Sequence, residues 1–276
     1  MPPPSLPLPS PMAVPPLALD TCRLIGANPA GPVGVRLIKA CTALPYQQTL
    51  AKGAERDALV SMLIDGATNR ETYFFRDRRQ LALMGTLLCC TAPPGAPLAL
   101  WSAGCATGEE AYSLAIVLRE LGLSAVVTGT DVSRGALATA RAALYRTGQM
   151  SPCREVGPDD ETFLPSTPDG RRTVAGPIRA AVRFVEHNIL SGSPSTQPQL
   201  QLQGFDAVVC RNVLIYMDAD ARSAALLVLA SAVKPGGLLL LGPGDVAPPV
   251  DPVVLGFRAL FRDGASLFIK GDADGR

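Results

Sequence analysis

Short apolar runs alternate with longer amphipathic stretches over the last two thirds of the chain. The runs have the length and continuous hydrophobicity of strands buried on both faces, and they lie at 98–102, 125–129, 182–185, 205–210, 238–241 and 266–270. Helical patterns separate several of them, at 109–121, 135–145 and 219–233. This alternation predicts an α/β fold, with a mainly parallel sheet covered by helices on both faces.

Helical patterns also precede this region. Residues 54–64 and 77–88 carry apolar side chains at helical spacing, and a Pro93-Pro94-Gly95 break follows the second pattern. We therefore expect a short helical domain over residues 35–92 and a larger α/β domain over residues 93–276.

Two segments depart from the regular patterns. Residues 146–181 are rich in proline, glycine and charge, which predicts a small inserted subdomain. Eight of the first sixteen residues are proline, and the first charged side chain is Asp20. Because proline fixes φ and removes backbone donors, we expect residues 1–34 to be a disordered or polyproline-like tail.

The amino-acid composition excludes several classes of function. The chain is 47% hydrophobic with a net charge of +1, so it can bury a core but offers no basic field for nucleic acid or anionic lipid. The longest apolar stretch, 223–233, is too short to cross a bilayer. Seven cysteines without a CxxC pair indicate neither a disulfide framework nor a zinc cluster, so we expect a reducing, cytoplasmic setting.

Residues with a nucleophilic or metal-binding side chain are few. The one histidine, His187, has no metal partners in the sequence and is interpreted as structural. Without a histidine partner, Cys105 is interpreted as a packing residue, and the adjacent Cys89 and Cys90 as part of a core.

A glycine-containing turn follows the first predicted strand. It reads AGCATG at 103–108 and leads into a helix that opens with Glu109 and Glu110. The second strand ends in Asp131, near the spacing at which an acid meets ribose hydroxyls. This arrangement predicts a nucleotide site, although a tight βα turn with an N-cap aspartate would give the same pattern.

The two glutamates bear on which nucleotide fits. A pyrophosphate prefers a helix N-terminus without negative charge, so Glu109 and Glu110 disfavour NAD and FAD. They suit a ligand with an ammonium or sulfonium group, and S-adenosylmethionine carries both.

Six segments, in order along the chain, resemble the CheR-type chemotaxis receptor methyltransferases. They are TNRETYFFRD (68–77), LWSAGCATGEEAYSLAIVL (100–118), GTDVSRGALATARAALY (129–145), VRFVEHNIL (182–190), FDAVVCRNVLIYMD (205–218) and VKPGGLLLLGPGD (233–245). The resemblance implies a Rossmann-like S-adenosylmethionine-dependent methyltransferase sheet with a short N-terminal helical domain. It also implies transfer of a methyl group to glutamates of the cytoplasmic part of a chemoreceptor, by a monomer, with S-adenosylhomocysteine as product.

The resemblance assigns site residues as well. It places Asp131 at the ribose, Glu109 or Glu110 at the methionine end, and Asn188 and Ile189 beside the adenine. The remaining cofactor residues are Ala103 and Gly104 in the turn, Arg211 and Asn212 after the fourth strand, and Thr72 and Arg76 closing over the site. The resemblance also implies that Tyr216 stands next to the transferred methyl. The catalytic candidates it gives are Arg76, Arg211 and Tyr216.

The chain also departs from the family pattern. Arg70 stands where the family usually has Asn or Gly, and Asn69 comes one step earlier. With the short helical domain, this motivates an alternative, a cofactor-binding sensor or scaffold that has lost receptor methylation. A small-molecule methyltransferase or a dehydrogenase on a similar sheet is disfavoured by the paired glutamates and the ordered motifs.

Overall fold

The computed structural model describes residues 14–91, 96–196, 204–246, 251–262 and 265–271. Residues 1–13 of the expected tail lie outside these ranges, and so does the whole Pro93-Pro94-Gly95 break, within 92–95. The other residues outside them are 197–203, 247–250, 263–264 and 272–276.

The centre of the molecule is a seven-stranded sheet. Its strands are β1 (Leu98–Ala103), β2 (Ala125–Asp131), β5 (Val182–Glu186), β6 (Phe205–Cys210), β7 (Val233–Leu241), β8 (Phe257–Arg262) and β9 (Ala265–Lys270). Across the sheet they run in the order β5-β2-β1-β6-β7-β9-β8, and the first five are parallel while β9 pairs antiparallel with β7 and β8. The expected mainly parallel α/β sheet is confirmed.

Helices cover both faces of this sheet, and further helices precede it in the chain. In the described residues, the helices are α1 (Pro16–Ile25), α2 (Pro32–Thr42), α3 (Tyr46–Thr49), α4 (Gly53–Ala67), α5 (Arg78–Thr91), α6 (Glu109–Glu120), α7 (Arg134–Ala142), α8 (Gly176–Ala180) and α9 (Ala219–Ala232). Successive β1 side chains point to opposite faces, so Leu100 packs with α5 and α6 while Trp101 packs with α9. Because helices pack on both faces of β1, this strand is continuously hydrophobic in sequence.

The first 34 residues are not a disordered tail where the structure describes them, and that prediction was wrong. Helix α1 begins with Pro16 at its first position, where the missing N–H would have no intrahelical partner. Leu17, Cys22 and Ile25 on its inner face pack in one cluster with Leu37 of α2. The helical unit therefore begins before residue 35, while α5, which was expected to belong to it, packs in the core of the sheet.

A small antiparallel pair of strands anchors the segment 146–181. The strand β3 (Leu144–Tyr145) precedes the segment and pairs with β4 (Arg172–Thr173) inside it. Between these strands it contains the 3-10 helix Pro158–Asp160, and α8 follows β4.

The expectation that Cys89 and Cys90 lie in a core was wrong, because both are exposed near the end of α5. Among the described helices, none combines the length and hydrophobicity needed to span a membrane.

Candidate functional site

A cavity of about 320 Å³ opens where β1, β2 and β6 end at the same edge of the sheet. Its floor is formed by the turns that follow these strands. Its other walls come from the segment 68–72, and from Ile25, Ala27 and Val33 of the N-terminal helical unit. The helical unit and the sheet therefore both contribute to one site.

The turn after β1 brings main chain to the cavity wall. Gly104 has φ +74, and a Cβ atom there would lie 2.4 Å from a methyl group of Val213. The N–H groups of Gly104 and Cys105 both donate to the carbonyl of Thr130, at 2.8 and 2.9 Å, which ties the turn to β2. Burial raises the pKa of Cys105 well above its ordinary value, which agrees with its interpretation as a packing residue.

Asp131, at the end of β2, presents a carboxylate to the cavity. Its Oδ2 accepts from the Ala106 N–H at 2.9 Å, and its Oδ1 accepts from the Ser133 N–H at 2.8 Å. Burial raises the pKa of Asp131, while these hydrogen bonds and the nearby Arg70 guanidinium act in the opposite direction. The acid is thus held rigidly between the turn after β1 and the start of α7.

Glu110 is another carboxylate that lines the cavity. It accepts from Ser102 Oγ at 2.8 Å and from Arg211 Nε at 2.8 Å. The Arg211 side chain is only 2% exposed, and its Nη1 also donates to the main-chain carbonyl of Arg76 at 2.8 Å. Arg211 therefore connects α6 and the end of β6 to the segment that carries Arg76.

Glu109 lies outside the cavity. Its side chain is fully buried, with the hydroxyl of Thr107 2.8 and 2.7 Å from its two carboxylate oxygens. Burial raises the pKa of Glu109 to about 7. Of the two glutamates between which the sequence left the choice open, the structure places Glu110 in the cavity lining.

Tyr216 and Arg76 also line the cavity. The hydroxyl of Tyr216 accepts a hydrogen bond from Asn69 Nδ2 at 2.7 Å. Arg76 is half-buried, with its guanidinium carbon 5.7 Å from the centre of the Tyr73 ring. The cavity lining thus includes a phenol, an amide and a guanidinium, which are groups that can hold a polar side chain.

The loop that presents Tyr216 depends on a residue that sequence reasoning missed. The carboxylate of Asp245 is fully buried and accepts from the main-chain N–H groups of Asn212, Val213 and Ile215. Burial raises its pKa, and these hydrogen bonds counteract that rise. The sequence did carry a signal for Asp245, because this residue ends the last of the six segments that resemble the CheR-type family.

The structure brings together ten of the predicted site residues around the cavity: Thr72, Arg76, Gly104, Glu110, Asp131, Asn188, Ile189, Arg211, Asn212 and Tyr216. Ala103 and Glu109 do not line it, since both are buried beneath the turn. Lining residues that sequence reasoning missed include Ile25, Asn69 and Arg70. The amphipathic spacing within 16–25 was the available signal for Ile25, and the proline count obscured it.

Comparison with known proteins decides the family. Residues 70–253 match the family described as CheR methyltransferase, SAM binding domain. This chain belongs to the CheR methyltransferase family. The CheR match includes the turn after β1, Asp131, and the Arg211–Tyr216 loop.

Two curated relatives give the extent of the CheR likeness. The chain is 33% identical over 202 residues to chemotaxis protein methyltransferase 1 of Vibrio cholerae, covering 70% of each chain. It is 32% identical over 203 residues to chemotaxis protein methyltransferase 1 of Pseudomonas aeruginosa, covering 69% of this chain and 71% of the relative. Among solved structures, magnesium protoporphyrin IX methyltransferase from Synechocystis with bound SAM covers 91% of this chain and 97% of its own at 16% identity, with a TM-score of 0.39.

S-adenosylmethionine is the cofactor of this family domain, and the cavity suits it chemically. The carboxylates Asp131 and Glu110 line the cavity, which would suit a ligand with ribose hydroxyls and a positive charge. Val132 and Ile189 line it with apolar side chains that would suit an adenine ring, and the lack of a Cβ at Gly104 lets the turn after β1 pack against Val213. The donors and acceptors present thus match a cationic nucleoside.

Proposed function

We propose that this chain transfers a methyl group from S-adenosylmethionine to glutamate side chains in the cytoplasmic part of a chemoreceptor-type signalling protein, forming glutamate methyl esters. The observation that carries the proposal is a single cavity whose lining includes the carboxylates Asp131 and Glu110 together with Tyr216 and Arg76. A cationic methyl donor suits the carboxylates, which define the donor end of the proposed complex. An anionic acceptor suits Tyr216 and Arg76, which define its acceptor end.

Each end has residues for its ligand. Asp131 would accept hydrogen bonds from the ribose hydroxyls, and Asn188 and Ile189 would flank the adenine. Glu110 would give a negative potential at the methionine end, weakened by its pairing with Arg211. When bound, S-adenosylmethionine supplies a methyl group made electrophilic by its sulfonium.

The acceptor needs no general base. A glutamate side chain has an unperturbed pKa near 4.3 and is already a carboxylate at neutral pH. His187 lines the cavity, but its Nε2 is hydrogen-bonded to the Gly192 carbonyl at 2.7 Å, and burial lowers its pKa. The residues near the acceptor end therefore have to orient the carboxylate rather than remove a proton.

Arg76 and Tyr216 are suited to that orienting role. The reaction joins a negative and a positive group into neutral products, so a tight ion pair with Arg76 would stabilise the reactants more than the transition state. We expect a contact that weakens as the ester forms. Exclusion of water and alignment supply the remaining help, and alignment can be worth about 7–11 kcal/mol.

The test is to incubate the protein with methyl-labelled S-adenosylmethionine and receptor-containing membranes, and to collect the methanol that mild base releases. We expect base-labile label, and we expect Arg76→Ala to lose more of it than any weakening of S-adenosylhomocysteine binding in calorimetry accounts for. Cofactor binding without base-labile label on any of several receptors would contradict the proposal and favour a sensor or scaffold. We also infer that the protein works in the cytoplasm and as a monomer, and sedimentation of the active protein tests the oligomeric state.

A further inference from the structure

We propose that Asn69 is a positioning residue for methyl transfer: it fixes the rotation of the Tyr216 hydroxyl so that the phenolic proton is donated into the cavity, toward the acceptor carboxylate. The inference rests on the proposed function, because it assigns a partner to a hydroxyl that faces the acceptor end.

The orientation of the Asn69 amide is fixed by its neighbours. Its Oδ1 accepts from the main-chain N–H of Glu71 at 3.2 Å, and its Nδ2 lies 2.7 Å from the Tyr216 hydroxyl. Because a main-chain N–H can only donate, the oxygen of the amide must face Glu71. The nitrogen therefore faces Tyr216, where it can only donate.

The rest of Tyr216 is held in place by its main chain. Its N–H donates to the Val213 carbonyl at 3.1 Å, and its carbonyl accepts from the Asn28 N–H at 3.0 Å. The ring is half-buried against the N-terminal helical cluster. With main chain and ring held, the main freedom left to this side chain is rotation of the hydroxyl hydrogen.

Asn69 removes that freedom in one direction. The hydroxyl oxygen uses a lone pair to accept from Asn69, so its hydrogen must point elsewhere. Within the part of the chain that the structure describes, no hydrogen-bond acceptor pairs with that hydrogen, and Tyr216 lines the cavity. The phenolic proton is thus available to a ligand at the acceptor end.

A donated hydrogen bond to one carboxylate oxygen leaves the other oxygen free to attack. In the transfer, that oxygen forms a bond to the methyl carbon while the carbon–sulfur bond breaks and its electron pair stays on sulfur. Tyr216 keeps its proton throughout. The contribution of Asn69 is therefore orientation of the acceptor, made through Tyr216.

Arg70 does not compete for this contact. Its Nη2 donates to the Asp65 carbonyl at 2.6 Å and lies 3.3 Å from the Asp65 carboxylate, on the side of α4 and α7. The amide that contacts Tyr216 comes instead from Asn69, one position before the residue where the family usually has Asn or Gly.

A double-mutant cycle tests the proposal in the receptor methylation assay, with Asn69→Ala, Tyr216→Phe and the double variant. We expect Asn69→Ala to lower kcat about three- to tenfold, the usual worth of one hydrogen bond, without changing the Kd for S-adenosylhomocysteine or the KM for receptor by more than about twofold. In the Tyr216→Phe background, Asn69→Ala should have no further effect. If Asn69→Ala lowered kcat by the same factor in the wild-type and the Tyr216→Phe backgrounds, the proposal would be overturned.

Asn69→Asp gives a second, nearly isosteric test. An aspartate would accept the phenolic proton and turn it away from the cavity, so we expect lower kcat than for Asn69→Ala. A rate equal to or above that of Asn69→Ala would contradict the inference. Gln47→Ala, which removes an exposed amide outside the cavity lining, is the matched control and should behave as wild type. Failure of the proposed function is seen separately, as absence of base-labile label with wild-type protein.

Discussion

Arg211 Nε donates to Glu110 Oε2 across 2.8 Å, and this ion pair joins the residue after β6 to the first turn of α6. Because the Arg211 side chain is 2% exposed and that of Glu110 is 11% exposed, removing either partner leaves a desolvated charge. The same arginine holds the Arg76 carbonyl, so its loss also releases the segment that closes the cavity.

We predict that Arg211→Ala lowers the free energy of unfolding by about 3–5 kcal/mol. It should also weaken S-adenosylhomocysteine binding, because Glu110 and the Arg76 segment both lose their anchor. Denaturant unfolding and calorimetry measure the two effects. The control is Arg134→Ala, which breaks a solvent-exposed ion pair with Glu186 and should change the free energy of unfolding much less. Similar losses for the two variants would show that the buried pair has no special role.

Binding of S-adenosylhomocysteine should depend on the ionisation of Asp131. Only the carboxylate form accepts from both ribose hydroxyls, and burial raises the pKa of this group despite two main-chain hydrogen bonds and the nearby Arg70. Affinity is therefore expected to fall as pH drops through that raised pKa, above the ordinary aspartate value of about 3.9.

Calorimetry at successively lower pH measures this dependence. Asp131→Asn should bind more weakly at neutral pH and lose most of the pH dependence. Other ionisable groups of the cavity lining, such as His187, remain in that variant, so any dependence that survives belongs to them. An unchanged pH profile in Asp131→Asn would contradict the assignment.

Glu109 should make the protein less stable as pH rises. The folded-state pKa of about 7 lies above the unfolded value of about 4.5, so the folded state holds the proton more tightly. Its contribution is fully present below the unfolded pKa and is lost as pH rises through about 7. The loss is on the order of 3 kcal/mol for a shift of this size.

Glu109→Gln should remove this dependence, since glutamine is neutral and its oxygen can still accept from Thr107. We expect the variant to gain stability relative to wild type at alkaline pH, with the difference shrinking under acidic conditions. Thermal unfolding of both proteins across the pH range measures it. A stability difference that does not vary with pH would mean that Glu109 titrates normally.

The central strands could be predicted because each is buried on both faces and therefore reads as a continuous apolar run. The edge strand β8 could not, since Phe257–Arg262 carries Arg258 and Arg262 and lacks such a run. Helix α1 was obscured by the prolines around it, although its apolar residues follow helical spacing. The hydrophobic pattern thus predicted the central strands well, and it predicted the edge strand β8 and helix α1 poorly.

Contacts between distant segments were beyond sequence reasoning. Asn188, expected beside the adenine, also donates to the carbonyl of Leu24, 164 residues earlier. The choice between Glu109 and Glu110 was open for a similar reason. Adjacent residues on a helix point about 100° apart, and only the positions of Ser102 and Arg211 decide which one meets the cavity.

Gly26 joins the N-terminal helices to the site, and its substitution should test that junction. The residue ends α1 with φ +68, and its carbonyl accepts from the Asp218 N–H at 3.0 Å. A Cβ there would lie 2.6 Å from the Cβ of Ala221 and 2.9 Å from Leu190, so Gly26→Ala must push the end of α1 away from α9 and from the segment after β5. We predict a loss of about 1–3 kcal/mol in unfolding free energy together with weaker S-adenosylhomocysteine binding.

The matched control separates backbone strain from this contact. Gly53 also has positive φ, +56, but no atom lies within 4 Å of a Cβ placed there. Gly53→Ala should therefore cost only the strain, about 1 kcal/mol, and leave cofactor binding unchanged. If the two variants bound S-adenosylhomocysteine equally well, the wall formed by Ile25 and Ala27 would be dispensable for the cofactor. Weaker binding in Gly26→Ala alone would instead establish that α1 completes the site.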